Sequence, residues 1–223
     1  MSNPPNPNAP NPHLGSAYNT FKNGNHRAGP NEDGVFCFGE GTLIATPGGE
    51  TAVEDLAIGD MVNTLDSGAQ AIRWIGSTTV TATGANQPVR IAVDAFGKAQ
   101  PLTALIVSPA HRMLVDSILA SLLFECPQLL AHAKDLINDS TIRPVTGKQF
   151  VRYFHFMFDK HELVWANGAV SESFHPSQAS DNAATHASLA ELQRLFPNTF
   201  LAGGELPSAR PTLSALEARL LMR

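Results

Sequence analysis

An abrupt change of composition at residue 35 constrains this chain more than any other feature. Residues 1–34 hold eight Asn, six Pro and four Gly, and almost no bulky apolar side chains. A segment of that kind cannot bury enough surface to offset the entropy of ordering it, so residues 1–36 read as a disordered head. Any fold has to be built from Val35-Phe36-Cys37 onward. The 223-residue chain is 43% hydrophobic, enough for one compact domain with a sizeable core.

Charge and composition then exclude several classes. The net charge of -5 comes without a basic stripe, which argues against a nucleic-acid partner. Apolar runs such as Ile118–Phe124 fall far short of the ~20 residues of a membrane helix, so no membrane partner is expected. Neither a basic n-region nor an apolar h-region opens the chain, so the cytoplasm is the default location, with signal-less secretion as the alternative. The two cysteines, Cys37 and Cys126, rule out a disulfide-built scaffold and a four-cysteine zinc site.

From Cys37 the sequence reads as short strands broken by turns. Strands are expected at Thr42–Thr46, Met61–Leu65, Ala71–Ile75, Thr78–Ala82 and Val89–Val93, with turns at Pro47-Gly48-Gly49 and Asp66-Ser67-Gly68. Val53–Leu56 suits a helical turn, and Leu102–Val107 and Met113–Val115 flank Pro109. A helix is expected around Leu129–Ile137. Val151–Phe158 and Leu163–Ala166 read as two strands joined in a hairpin across Asp159-Lys160. Residues 176–223 read as a helical extension. Ala183–Phe196 has the helical period, and Ser214 with Glu217 forms a capping-box pattern.

Three groups of residues could carry chemistry. Cys37 stands at the junction of head and domain. A cysteine there is either a small buried hydrophobe or a nucleophile beside its own upstream carbonyl, that of Phe36. Attack on that carbon closes a five-membered ring and yields a thioester, so proximity is built into the backbone. Ser108-Pro109-Ala110-His111 could present a hydroxyl and an imidazole on one side of a proline turn. The imidazole could then protonate a departing nitrogen while the hydroxyl polarises the same peptide. The alternative is a capped turn beside a surface histidine. His155, Asp159 and His161 would share one face of a continuous strand and resemble a metal site, but a turn at Asp159-Lys160 breaks that face. No metal or cofactor is expected. Cys126, Trp74 and Trp165 read as packing residues.

Together these segments resemble a known family. Cys37-Phe38-Gly39-Glu40-Gly41-Thr42-Leu43, with Val53-Glu54-Asp55-Leu56 through Gly59-Asp60-Met61-Val62, is similar to the opening block of Hint domains, the Hedgehog/intein autoprocessing module. Val107-Ser108-Pro109-Ala110-His111 resembles the family's Thr-x-x-His block. His161-Glu162-Leu163-Val164-Trp165-Ala166-Asn167-Gly168 resembles its closing block. The nearest subtype is the bacterial intein-like one, where residues like His155, Asp159, His161 and Glu172-Ser173 are typical. The resemblance implies an all-β horseshoe with pseudo-twofold symmetry over residues 37–175 and a short helical tail.

For function, the resemblance implies an N–S acyl shift at Phe36-Cys37. Cys37 would be the nucleophile, His111 the proton donor, and Ser108 the holder of the peptide where Thr is usual. His155 falls near the family's closing-block aspartate, with Asp159 and His161 as further candidates. Two departures stand out. Glu172 and Ser173 occupy the places of the terminal His-Asn of splicing inteins, so splicing is not expected. Gly76 lies near the catalytic aspartate of Hedgehog-type members, which leaves the base that activates Cys37 unidentified.

The reading is therefore self-cleavage that releases residues 1–36 to water, a thiol or an amine. A rival is a catalytically inactive Hint-like module for binding or secretion. A third is a metal-dependent hydrolase using His111, His155, Asp159 and His161.

Overall fold

The structure is a computed structural model, and it describes residues 36–175 and 207–221. The expected head 1–34 and the helical pattern at 183–196 lie outside the described residues. Fourteen strands run in chain order: β1 (Phe38–Gly39), β2 (Leu43–Thr46), β3 (Gly49–Ala52), β4 (Met61–Thr64), β5 (Gly68–Ala71), β6 (Trp74–Thr81), β7 (Val89–Ile91), β8 (Leu105–Val107), β9 (Arg112–Asp116), β10 (Gln128–His132), β11 (Ile142–Pro144), β12 (Phe150–Met157), β13 (Leu163–Ala166) and β14 (Ala169–Glu172). Two short helices join them, α1 (Ile118–Phe124) and α2 (Ala215–Leu221). The architecture is mostly β with a short C-terminal helix, the class that the resemblance implied.

The strands form two antiparallel sheets. A six-stranded sheet has the order β11-β7-β8-β1-β12-β6. An eight-stranded sheet follows β10-β9-β14-β13-β2-β3, with β4 and β5 attached through β13. One core cluster joins both sheets: Phe38, Phe154, Phe156 and Val107 from the first pack with Ile44, Met113, Val164 and Ala166 from the second. The Phe38 and Phe156 rings stack at 5.5 Å. In β12 both faces are covered from Tyr153 to Met157, so side-chain alternation sends Phe154 and Phe156 into this core. Val151, Tyr153 and His155 point the other way, where a smaller buried cluster unites Cys37, Ala82, Val151 and Tyr153.

Several local expectations hold. The hairpins at Pro47-Gly48 and Asp66-Ser67 close as read, with Gly49 and Gly68 in the left-handed region that their turns require. The capping box at α2 forms: Ser214 N–H donates to Glu217 Oε2 at 2.7 Å, and Glu217 N–H returns to Ser214 Oγ. Val53–Asp55 is a single 3-10 turn.

Others are corrected. The helix expected at Leu129–Ile137 is instead β10 followed by a 3-10 turn at Ala133–Leu136. Leu129-Leu130-Ala131 are covered on both sides, and a doubly covered strand reads as an unbroken apolar run. The helix lies earlier, at α1, capped by Ser117 Oγ accepting from Ala120 N–H and stopped by Glu125 in the left-handed region. The strand expected at 71–75 is split, with Ala71 ending β5, and its second part joins the one expected at 78–82 in a single strand, β6, running through Gly76. Finally, β12 and β13 do not form a hairpin. They belong to different sheets, and Asp159-Lys160 is a corner between the layers.

Candidate functional site

The register of the six-stranded sheet aligns four residues across neighbouring strands. β1 lies between β8 and β12, with Phe38 opposite Val107 on one side and Phe154 on the other. Moving one residue back along β1 in these antiparallel ladders sets Cys37 between Ser108 and His155. Gly76 of β6 is paired with His155 on the far side of β12. The row is therefore Ser108, Cys37, His155, Gly76.

Hydrogen bonds follow from this row. The Cys37 N–H, the amide of the Phe36–Cys37 bond, donates to Ser108 Oγ at 2.9 Å. The Ser108 N–H donates to the Cys37 carbonyl at 3.0 Å. The Cys37 sulfur lies 3.0 Å from His155 Nδ1. Cys37 is wholly buried, and burial raises its thiol well above the usual value. Burial lowers His155 to about 4. The pair therefore rests as neutral thiol and neutral imidazole, sharing one proton between sulfur and Nδ1.

His155 is held by aromatic rings and by the absence of one side chain. Its imidazole stacks on Trp74 at 4.9 Å and meets Phe174 at 5.2 Å. A Cβ at Gly76 would lie 2.8 Å from His155 Nε2 and 2.8 Å from two Trp74 ring carbons. Gly76, which the resemblance marked only as a missing aspartate, is thus the gap into which this imidazole fits.

Ser108-Pro109-Ala110-His111 forms the turn read from the sequence, with the His111 N–H donating to the Ser108 carbonyl at 3.2 Å. The His111 ring is buried edge-on against Phe38 at 4.4 Å, the residue next to Cys37. Neither of its nitrogens has a hydrogen-bond partner among the described residues. Burial lowers it to about 4, and of the charges it feels Glu172 pulls upward while Arg112, His132 and His161 push downward. A buried imidazole whose nitrogens lack a partner carries a desolvation cost.

The remaining candidates lie elsewhere. Asp159 is exposed and paired with Arg73 at 2.8 Å, away from the Cys37 row. His161 is buried beside Glu172, its Nε2 3.2 Å from Glu172 Oε2 and 3.1 Å from the Ser173 carbonyl. Its Nδ1 accepts the Ala209 N–H at 2.9 Å, so the proton sits on Nε2. Burial opposes the charge on Glu172, but Arg112 and then His161 outweigh it and hold the carboxylate well below its usual range.

No group of three or more metal-ligating side chains occurs among the described residues. Both cysteines are free thiols. Asn167 staples β2, accepting the Leu43 N–H at 2.7 Å and donating to the Ala104 carbonyl at 2.9 Å.

Sequence reasoning missed Trp74, Gly76 and Arg112 as parts of the site, and His132, which lies 6.2 Å from the Phe36 ring. Trp74 and Gly76 sit on either side of an ordinary strand residue and carry no motif. Arg112 directly follows a candidate histidine, and that adjacency was the one available signal.

The Hint domain family matches residues 36–178, well over half of the chain. No curated protein matches it. Among solved structures, the bacterial intein-like domain from Clostridium thermocellum is similar over 63% of this chain and 99% of its own, at 12% identity and TM-score 0.42. The MchDnaB-1 intein variant N145AA is similar over 61% of this chain and 99% of its own, at 16% identity and TM-score 0.42. The DnaB intein from Synechocystis sp. PCC 6803 covers 62% of this chain and 98% of its own, at 14% identity and TM-score 0.38.

Proposed function

Because this chain belongs to the Hint domain family, we propose that it cleaves itself at Phe36-Cys37 through a thioester and releases residues 1–36 without splicing. The observation that carries this reading is the Ser108–Cys37–His155 row. It holds the amide N–H of one peptide bond at 2.9 Å and the adjacent thiol at 3.0 Å.

The chemistry builds on those contacts. The Cys37 sulfur attacks the Phe36 carbonyl carbon as its proton passes to His155 Nδ1. Ser108 Oγ, accepting from the Cys37 N–H, fixes the peptide plane and leaves electron density on the nitrogen. The C–N bond then breaks, and His111 supplies a proton to the departing nitrogen from the minor protonated fraction that burial leaves it at neutral pH. The shift is proton-neutral: a thiol proton is lost, an amine proton is gained, and the two imidazoles exchange the difference afterwards. The product is a thioester between Phe36 and the Cys37 sulfur. Water, a thiol or an amine then attacks its carbonyl carbon, the C–S bond breaks, and sulfur recovers a proton.

Splicing would need an imidazole and a side-chain amide where Glu172 and Ser173 stand. Glu172 is an ionised carboxylate clamped by Arg112, and Ser173 has no amide to cyclise.

Intact mass of the purified chain, followed with and without dithiothreitol, tests this reading. Thiol-dependent loss of residues 1–36 in the unmodified chain, absent in Cys37→Ala, is expected. Two equally uncleaved chains under every nucleophile would instead favour a catalytically silent binding module.

A further inference from the structure

A buried carboxylate ties His111 to the far end of the chain. Glu172 Oε1 accepts the Arg112 backbone N–H at 3.0 Å, and Oε2 accepts Arg112 Nε at 2.7 Å. Arg112 directly follows His111. The same guanidinium donates from Nη1 to Thr212 Oγ1 at 2.6 Å. Glu172 Oε2 also faces His161 Nε2, and His161 Nδ1 accepts the Ala209 N–H. The segment supplying Ala209 and Thr212 is bound along β10: the Leu130 N–H donates to the Pro211 carbonyl, and the Leu213 N–H donates to the Leu130 carbonyl. Leu213 is buried, and Arg210 grips Asp66 and Gln128.

We propose that Ala209–Leu213 is a working part of the self-processing site, acting as a clasp on Glu172 and Arg112 that aims His111 at the Phe36–Cys37 nitrogen. The proposal rests on the self-processing reading above. Release at one end of the domain would then await docking of a segment from the other.

The physical reason lies in how His111 is held. Its ring makes no hydrogen bond among the described residues, so its direction depends on packing against Phe38 and on its backbone. That backbone is fixed on one side by the Ser108 turn and on the other by the Ala133 N–H donating to the His111 carbonyl at 2.8 Å and by the Glu172 grip on the Arg112 N–H. Without the clasp, Arg112 loses Thr212, and the buried His161 loses the donor that settles its tautomer. A buried charge pair with a loosened partner reorganises or takes in water. Glu172, Arg112, Ala209 and Thr212 are thus positioning residues. A displacement of about 1 Å at a proton donor is enough to slow a reaction ~100-fold.

The test uses the full chain carrying Ala209→Pro and Thr212→Val, which removes the N–H to His161 and the hydroxyl to Arg112. Two readouts are taken: thiol-induced release of residues 1–36, and the His111 ring resonances by NMR in an uncleavable Cys37→Ala background. The proposal expects release slowed at least tenfold and His111 resonances shifted, with Thr212→Ser restoring both towards the parent. Unmoved His111 resonances overturn it, whatever the rate does. If the double variant does not fold, the near-isosteric Thr212→Val alone is judged by the same resonances. An unmodified chain that never releases residues 1–36 refutes the self-processing reading instead, and the resonances still decide whether the clasp positions His111.

Discussion

Replacing Gly76 by Ala should disable the site by steric means alone. The new Cβ would sit 2.8 Å from His155 Nε2 and from two ring carbons of Trp74, where ordinary contact begins at 3.4 Å. One or both rings must therefore move by about 0.6 Å. Trp74 is nearly fully buried, and His155 is bounded by Phe174 on a further side, so neither has open space to yield into. Gly76 lies on the side of His155 away from Cys37, so a shift of that size would press the imidazole on the Cys37 sulfur or turn Nδ1 off its 3.0 Å contact, and spoil proton acceptance. Losing a positioned base costs on the order of 10²–10⁴ in rate, and partial displacement should cost at least tenfold. Overpacking should also destabilise the fold by about 1–3 kcal/mol, although Gly→Ala in an unobstructed strand stabilises. The assay pairs the rate of thiol-induced release with a urea melt, using Ser77→Ala on the exposed face of the same strand as control. Wild-type release with an unchanged or raised melting midpoint in Gly76→Ala would refute the reasoning.

Other perturbations probe the remaining contacts. Ser108→Ala leaves the buried Cys37 N–H without its acceptor, at a cost of roughly 1–3 kcal/mol, and should slow release by ten- to a hundredfold, while Ser108→Thr should retain most of the rate. Burial holds His111 and His155 at about 4, below their ordinary 6.5, so the unfolded chain binds two more protons than the native one between those values. Stability should accordingly be full above pH 6.5 and fall as pH drops towards 4, by up to about 3 kcal/mol per histidine; urea midpoints that stay flat or rise over that window would contradict the burial of both rings. Arg73→Ala breaks an exposed ion pair with Asp159, so release and melting midpoint should barely move; a tenfold slower release would return Asp159 to the site.

The parts of the site legible in the sequence were those carried by contiguous motifs. Cys37 after the compositional break and Ser108-x-x-His111 across a proline turn were readable because each sits in a local pattern whose backbone geometry depends on residue type. The contact between Cys37 and His155 was not, because it depends on β1 inserting between β8 and β12, a register set by distant packing. The same limit explains β10. Leu129-Leu130-Ala131 is apolar on both faces, and only pairing with β9 distinguishes it from a helix. Asp159 rested on the resemblance alone, which does not tell where a side chain faces as the chain turns the corner between sheets, and there it pairs with Arg73. Gly76 was visible only as a departure from a pattern, since a glycine's role in admitting a neighbour's ring is recorded in the neighbour.

The central claim is an acyl link between the Phe36 carbonyl and the Cys37 sulfur, and hydroxylamine reads it directly. Treating the unmodified chain at neutral pH should yield residues 1–36 ending in a hydroxamate at Phe36, together with a fragment beginning at Cys37 with a free amine. Cys37→Ser, which can form only the less reactive ester, should yield far less of both. An unmodified chain that gives no hydroxamate, or that gives as much from Cys37→Ala, would contradict the account.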